Sequence, residues 1–500
     1  MVSLFRLPDE VILTPLLQSF PGRDQQIRSL ATLIYPAAAP CRNLVLHGAE
    51  ATGKSSITSQ LLARLATHLS ADDDDDSGSK QGGSRFKYAI VNAAQCISGR
   101  HLFERIVGAV ADSLALPPDT RLRRCETLAQ LAVALAAMLK DEPAMKSDLG
   151  RRFVLALDSI DKQRDAPPTL LPALARLSEL IPCLTCIFIV TAPPAGFLRT
   201  PASAHLHFPP YSKSEFVRIL SLAPPSPVPG TTQQETSDLW TRFCAAVHDA
   251  FVNSASRTLP SFRHGCFALW PRFTAPILNG TYTIKEFTKL LVSARVHFQD
   301  ESLLNPSIVC VSSQVLEPTS AADGGGTTLV KPTGPVSATT ELSALLPIAA
   351  RALLLCAYLA SHNAIRHDLS LFSSYHHASR KRRRGGGITG ASRGGATRFK
   401  HRKIARKLLG AHAFVLERML AIFEAVRADW IHVTSSIGDA GIDGDVGMAI
   451  ATLASLRLLT RVGAGDMMDR AGKWRINVGW EAIRSMGRSI GVEIEEWLIE

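Results

Sequence analysis

The chain has 500 residues, 46% of them apolar and 20% charged, which excludes a wholly disordered or fibrous chain and predicts two or three globular domains. Nine cysteines are too sparse for a disulfide scaffold and read as reduced thiols of an intracellular protein. The net charge of +11 is local: residues 380–407 hold 12 Lys or Arg and no acid, so the rest of the chain nets −1 and no fold-wide basic face is expected. Residues 1–20 include Pro8, Asp9 and Glu10 and lack the basic-then-apolar order of a signal peptide. The most apolar stretch, 344–360, is interrupted by Arg351 and falls short of the about 20 residues a membrane span needs; no membrane association is expected.

In chain order, strand patterns are expected at 43–47, 87–91, 153–157, 184–190 and 205–208, alternating with helical patterns at 54–68, 101–116 and 170–180. Near-continuous apolar strands with intervening helices predict a parallel α/β sheet covered on both faces. Residues 1–210 form this body, 211–300 read as helical, and 341–500 read as a mainly helical C-terminal domain with a small strand pair near 458–462 and 473–478. Three stretches read as insertions or linkers: an acidic run from Asp72 to Asp76 within a loop at about 71–85, a Gly/Thr/Pro/Ser-rich linker within 301–340, and a basic insert at about 378–404. No internal repeat is found. Cys183-Leu184-Thr185-Cys186 lies in a strand-like run without a second pair, so it reads as core rather than as a zinc site. His376-His377 and the other histidines also lack metal spacing.

Gly48-Ala49-Glu50-Ala51-Thr52-Gly53-Lys54-Ser55 fits GxxxxGK[ST], the Walker A phosphate loop, with a strand running in and a helix running out. Backbone N–H groups and the helix N-terminus would wrap phosphates. Lys54 would reach the β- and γ-phosphates of ATP, and Ser55, followed by Ser56, would ligate Mg2+. Asp158, ending the 153–157 strand, supplies the acid of the magnesium shell; its alternative is a turn-forming Asp. Ser159 stands where a hydrolytic glutamate would polarise water, and a serine is no carboxylate base. Asp161 is three residues on, a shift that normally misses in-line geometry. The site therefore reads as one that binds ATP and hydrolyses it poorly. Thr191 is either a γ-phosphate sensor or an ordinary strand-ending threonine. Arg199 and Arg176 are candidates to reach a neighbour's nucleotide in trans, or are solvated surface arginines.

Beyond the phosphate loop, several segments carry a family likeness. Phe20-Pro21-Gly22-Arg23-Asp24-Gln25-Gln26 is similar to a "PxRxxQ" box, Tyr88 to Cys96 to "FVNxxEC", Leu170 to Leu180 to "LLPxxLRLxEL", and His207-Phe208-Pro209-Pro210-Tyr211-Ser212 to "YFPxYS". Phe262-Arg263-His264 with Trp270-Pro271-Arg272-Phe273 is similar to "LRH…FPKY". In the C-terminal third, 349–367 resembles "ILIAAYLASYNPxR", 407–410 with 414–422 resembles "LLGPxxFxLDRLLAI", and 456–463 resembles "LxLLTLVG". Over nearly its whole length the chain thus resembles AAA+ proteins of the initiator type, more narrowly the origin recognition complex subunit 5 family. Ala411-His412-Ala413 departs from a proline-containing version of its motif, and the acidic and basic inserts are richer than the family pattern.

The resemblance implies a RecA-like AAA+ body, a helical lid and a winged-helix-type C-terminal domain. It places Arg23 in a segment contributing to the adenine pocket, Tyr211 at the passage into the lid, and Arg263 at the sensor-2 position facing the phosphates. It implies a nuclear protein set among the other subunits of the origin recognition complex around double-stranded origin DNA, acting with a loader ATPase to load the MCM helicase, and holding ATP at a subunit interface. The tract Arg380-Lys381-Arg382-Arg383-Arg384 fits a nuclear import signal, a DNA-phosphate contact, or a solvated loop that does neither. Two other functions compete: a hydrolytically active clamp-loader-like or remodelling ATPase, and a signalling NTPase, a class that usually carries a repeat array not seen here.

Overall fold

A computed structural model of the chain describes residues 8, 10–36, 41–75, 86–116, 125–141, 152–163, 167, 169–193, 203–251, 258–299, 346–372, 410–431, 442–463 and 472–499. It divides into two compact units: Met1–Cys266 with Trp270–Ser293 and Asp368–Gly390, and Phe267–Leu269 with Ala294–His367 and Ala391–Glu500. No helix among the described residues is long and apolar enough to cross a membrane.

The first unit holds a five-stranded parallel sheet. Its strands are β1 (Asn43–His47), β2 (Phe86–Asn92), β3 (Arg152–Asp158), β4 (Leu184–Val190) and β5 (Ser203–His207), in the order β2-β3-β4-β1-β5. Period-two alternation sends Phe153, Leu155 and Leu157 of β3 into one core and Val154 and Ala156 into the other. The second of these cores is roofed by α1 (Glu10–Ser19), α2 (Asp24–Ile34) and α3 (Lys54–Asp75), the first by α4 (Gly99–Ser113), α5 (Leu128–Asp141), α6 (Leu170–Ala175) and α7 (Leu177–Leu180). The covered parallel α/β sheet is as expected. Cys186 is fully buried in β4 and Cys183 packs against the same core.

Two elements depart from the sequence pattern. Helix α3 runs to Asp75, past the expected end at 68 and into the acidic run; residues 76–85 lie outside the described ones. The helix expected over 170–180 breaks at Arg176. There Asn43 Nδ2 and Ser178 Oγ both donate to Ala175 O, at 3.1 and 2.9 Å, while Glu179 N turns to Arg176 O. Both side-chain donors compete there with the i to i+4 ladder.

Four further helices lie in the same unit except at Phe267–Leu269 and Ala294: α8 (Lys213–Ser221), α9 (Gln233–Phe251), α10 (Leu259–Leu278) and α11 (Phe287–Ala294). They close on an aromatic core in which Trp240, Phe243, Trp270 and Phe273 meet at centroid distances of 4.6–6.0 Å. Trp240 Nε1 donates to Leu220 O at 3.0 Å, so the indole is buried without an orphan donor.

The second unit is built around α12 (Ile348–His362), whose residues Ala352–His362 are all buried. A helix apolar all round must be central, and α13 (Leu416–Ile431), α14 (Ile442–Ser455) and α15 (Trp480–Ile490) pack around it. A three-stranded antiparallel sheet, β6 (Phe414–Val415), β7 (Leu459–Val462) and β8 (Lys473–Ile476) in the order β6-β8-β7, completes a winged-helix-type domain. The β7–β8 pair matches the expected strand pair; the two-residue β6 is additional.

Arg418 of α13 is 4% exposed and caps the C-terminus of α12, donating to Ala360 O at 2.6 Å and Asn363 O at 3.0 Å. These are carbonyls that the end of a helix leaves unsatisfied. Asn363 in turn donates to Trp497 O at 2.8 Å and accepts from Ile499 N at 3.2 Å, which pins the tail. Replacing Arg418 by methionine keeps the aliphatic bulk and orphans these carbonyls. It is expected to destabilise the chain by about 2–4 kcal/mol, read as a lowered denaturant midpoint at unchanged slope.

Candidate nucleotide site and its family

The phosphate-loop residues sit where β1 hands over to α3. The loop needs left-handed backbone at three points: φ is 146° at Gly48, 57° at Ala51 and 92° at Gly53. A Cβ at Gly48 would lie 2.1 Å from Phe208 O, and one at Gly53 2.9 Å from the Tyr211 hydroxyl. The two glycines are therefore demanded by close approach as well as by φ. Ala51 takes a left-handed conformation that its residue type does not announce.

Lys54 is 8% exposed, and its ammonium donates to Gly48 O at 2.7 Å, Ala49 O at 2.6 Å and the Thr52 hydroxyl at 3.4 Å. Burial pushes its pKa below the ordinary lysine value, while Asp158, Asp161 and Glu50 act to hold the charge. A buried cation resting on neutral carbonyls of its own loop is arranged to accept an anion. Ser55 Oγ donates to Asp158 Oδ1 at 2.9 Å. This brings together the hydroxyl and carboxylate that the spacing assigned to magnesium, though they lie 103 residues apart in sequence. Burial raises the Asp158 pKa, and the Ser55 hydrogen bond opposes that. Ser56 is exposed on the first turn of α3. Glu50 pairs with Lys162 at 2.8 Å, tying the loop tip to the turn after β3. Glycine cradle, buried lysine and Ser–Asp pair together fit a magnesium-bound nucleoside triphosphate.

The turn after β3 holds Ser159 at φ 52°. Asp161 accepts from Thr191 N at 2.8 Å through Oδ2, and its Oδ1 is buried without a hydrogen-bond partner. Thr191 also accepts from Gly48 N at 3.2 Å. It is thus the Thr191 main chain that joins the end of β4 to the phosphate loop and to Asp161, a role its side-chain identity does not advertise.

Arg23, a polar residue of the N-terminal box, is 1% exposed. Its Nε donates to Thr52 O at 3.2 Å, its Nη2 to Pro209 O at 2.5 Å, and its guanidinium stacks over the Tyr211 ring at 3.9 Å. Arg263 is on the exposed side of α10. Arg176 has a side chain 78% exposed and an i,i+3 approach of 3.8 Å to Glu179. Arg199 and the basic insert lie outside the described residues.

His47, immediately before the loop, belongs to none of the sequence motifs. It faces His207 and His205 of β5 at centroid distances of 5.0 and 6.1 Å. Burial and the neighbouring His207, His205 and Lys54 hold its pKa below the ordinary 6.5. The fold therefore favours neutral His47. Its contribution to stability is intact above pH 6.5 and is lost as the pH falls from there through the lowered folded value. Thermal melts at about pH 7.5 and 5.5 should show a smaller acid-induced drop for His47→Gln than for the wild-type chain.

Three family models match the chain. "AAA ATPase domain" matches residues 19–189, "ORC5, lid domain" matches residues 240–299, and "Origin recognition complex (ORC) subunit 5 C-terminus" matches residues 346–498. The chain belongs to the origin recognition complex subunit 5 family. Curated relatives of that name extend the likeness over the full length. That of Schizosaccharomyces pombe is 24% identical over 99% of this chain and 100% of its own. That of Homo sapiens is 25% identical over 92% of each. Among solved structures, a chain of the Drosophila origin recognition complex bound to DNA is similar at 20% identity and a TM-score of 0.42, covering 98% of this chain and 100% of that one. Within the family the AAA+ body, the helical lid and the winged-helix-type C-terminal domain are the parts described above.

Proposed function

We propose that this subunit 5 family chain is an ATP-binding structural subunit of the nuclear origin recognition complex, and that it holds Mg-ATP at an interface with a neighbouring subunit with little or no hydrolysis. The observation that carries the reading is the buried Lys54, resting on its own loop beside the Ser55–Asp158 pair, in a chain whose lid and C-terminal segments match subunit 5 models. The residues would divide the work as follows. Residues 48–53 present N–H groups to the phosphates, Lys54 offsets their charge, and Ser55 and Asp158 hold the magnesium shell. Bound ATP adds negative charge and an interface surface that the protein alone lacks.

Hydrolysis asks for more than binding. Ser159 offers no carboxylate to polarise water, and the Oδ2 of Asp161 is engaged by the Thr191 main chain. The alternative, an active clamp-loader-like or remodelling ATPase, would have Asp161 as a candidate base, its Oδ1 being buried without a hydrogen-bond partner. Phosphate release by the full chain with Mg-ATP tests this. We expect bound ATP without steady turnover; turnover that Lys54→Ala abolishes would favour the alternative.

We assign residues 1–210 to the ATP-binding body, 211–300 to the lid and 341–500 to the C-terminal domain. By family membership the partners would be the other complex subunits, double-stranded origin DNA contacted chiefly through phosphates, the loader ATPase and the MCM helicase. Arg176 and Arg199 stand as candidates for a neighbour's nucleotide, and Arg263 as the lid's cation toward this one. The basic insert would serve nuclear import or retention on DNA.

A further inference from the structure

A buried guanidinium normally has a carboxylate partner, because desolvating it alone is costly. Arg23 makes no ion pair among the described residues. It grips the carbonyls of Thr52 and Pro209, touches Gly22 O at 3.4 Å, and lies over the Tyr211 ring. One side chain thus joins the N-terminal box, the phosphate loop and the passage into the lid. Two close approaches tighten the junction. The Tyr211 hydroxyl abuts Gly53, where a Cβ would sit 2.9 Å away. The Glu215 carboxylate abuts Gly22, where a Cβ would sit 2.2 Å away. Tyr211 directly precedes Ser212, the N-cap of α8, and Glu215 closes that cap as a reciprocal capping box. Residues 22–23 and 52–53 therefore bear on both ends of the segment 211–215 that starts the lid.

We propose that Arg23 and Tyr211 form a mechanical link through which the phosphate loop positions the first lid helix, with Arg23 a positioning residue that grips protein carbonyls instead of the nucleotide. This rests on the reading of residues 48–55 as the nucleotide site. Lys54 now holds Gly48 O and Ala49 O. When Lys54 turns to a phosphate, that hold ends and residues 49–53 readjust. Arg23 fixes Thr52 O, so the adjustment is delivered at Gly53, against the Tyr211 hydroxyl, and one residue later at the cap of α8. Packed junctions of this kind shift between discrete arrangements instead of deforming smoothly.

Amide hydrogen exchange of the full chain, with and without saturating Mg-ATP, tests the link. In the wild-type chain, amides of 212–217 should exchange at least about tenfold more slowly with ATP. Arg23→Lys keeps the charge but loses the planar fork and the stacking; with the loop saturated, its ratio should fall below about twofold. Tyr211→Ala, which removes the ring and hydroxyl, should do the same and decides the matter if Arg23→Lys does not fold. A merely structural role would speed exchange equally in both states and leave the ratio at its wild-type value, which would overturn the proposal. So would a wild-type chain that binds ATP without protecting 212–217. A wild-type chain that binds no ATP at all would overturn the site reading and the link together.

Discussion

Replacing Lys54 by alanine is expected to weaken ATP binding about a hundredfold, and with it assembly with neighbouring subunits. The ammonium is the buried cation at the centre of the loop, and in this structure it rests on Gly48 O and Ala49 O. Each charge-assisted hydrogen bond it makes to a phosphate contributes about 1.5–3 kcal/mol, and each 1.4 kcal/mol is about tenfold in affinity. The fold should tolerate the change, because the bonds lost at Gly48 O and Ala49 O belong to a loop whose Thr52 O and Gly48 N are held separately, by Arg23 and Thr191. Equilibrium titration with labelled ATP beside a thermal melt separates the two effects. Near-wild-type affinity at unchanged stability would mean that the phosphates do not meet Lys54. Normal assembly by a variant that has lost nucleotide would mean that ATP is not the interface glue.

Gly48→Ala is expected to cost stability as well as binding. The new Cβ would meet the Phe208 carbonyl oxygen at 2.1 Å and its carbon at 3.0 Å. Neither strand end can give way easily, because Phe208 N donates to His47 O at 2.8 Å and Gly48 N to Thr191 O at 3.2 Å. The backbone also stands at φ 146°. Backbone overlap and strain together place the loss at about 3 kcal/mol or more, a fall in melting temperature of roughly 6–12 °C for a unit of this size. ATP affinity should fall with it, since the same shift moves the loop amides. A melt within a degree or two of wild type would show that the β1–β5 junction relaxes far more easily than its hydrogen bonds imply.

These two variants act on residues legible in the sequence. Strands β1 and β4 match residue for residue, because central parallel strands are apolar on both faces and their runs stop at polar residues. The phosphate loop is a local pattern whose geometry is also local. The Ser55–Asp158 meeting could be expected because two motifs carry a known spatial relation.

What could not be read depends on distant partners. The break at Arg176 lies where Asn43, 132 residues upstream, donates to the Ala175 carbonyl. Arg23 carries a charge and sits in a polar segment, so only the folded chain shows it buried under Tyr211. Arg418 and Asn363 lie in segments that resemble family motifs, yet their mutual capping of α12 needs two elements 55 residues apart to meet. Helices α1, α2 and α5 lie outside the elements expected from the sequence. In α1 a proline inside the helix obscures the pattern, and in α5 alanine and leucine on most faces blur the stripe.

The most direct test of the central claim is recovery of the tagged full-length chain from nuclei of its own organism, with the co-purifying proteins identified by mass spectrometry, beside the Lys54→Ala variant. The wild-type chain should bring down the other origin recognition subunits in near-equal amounts, and the variant markedly less of them. Recovery of the chain alone, or with unrelated partners, would contradict membership of that assembly. Equal recovery by both forms would contradict the role given to the bound nucleotide.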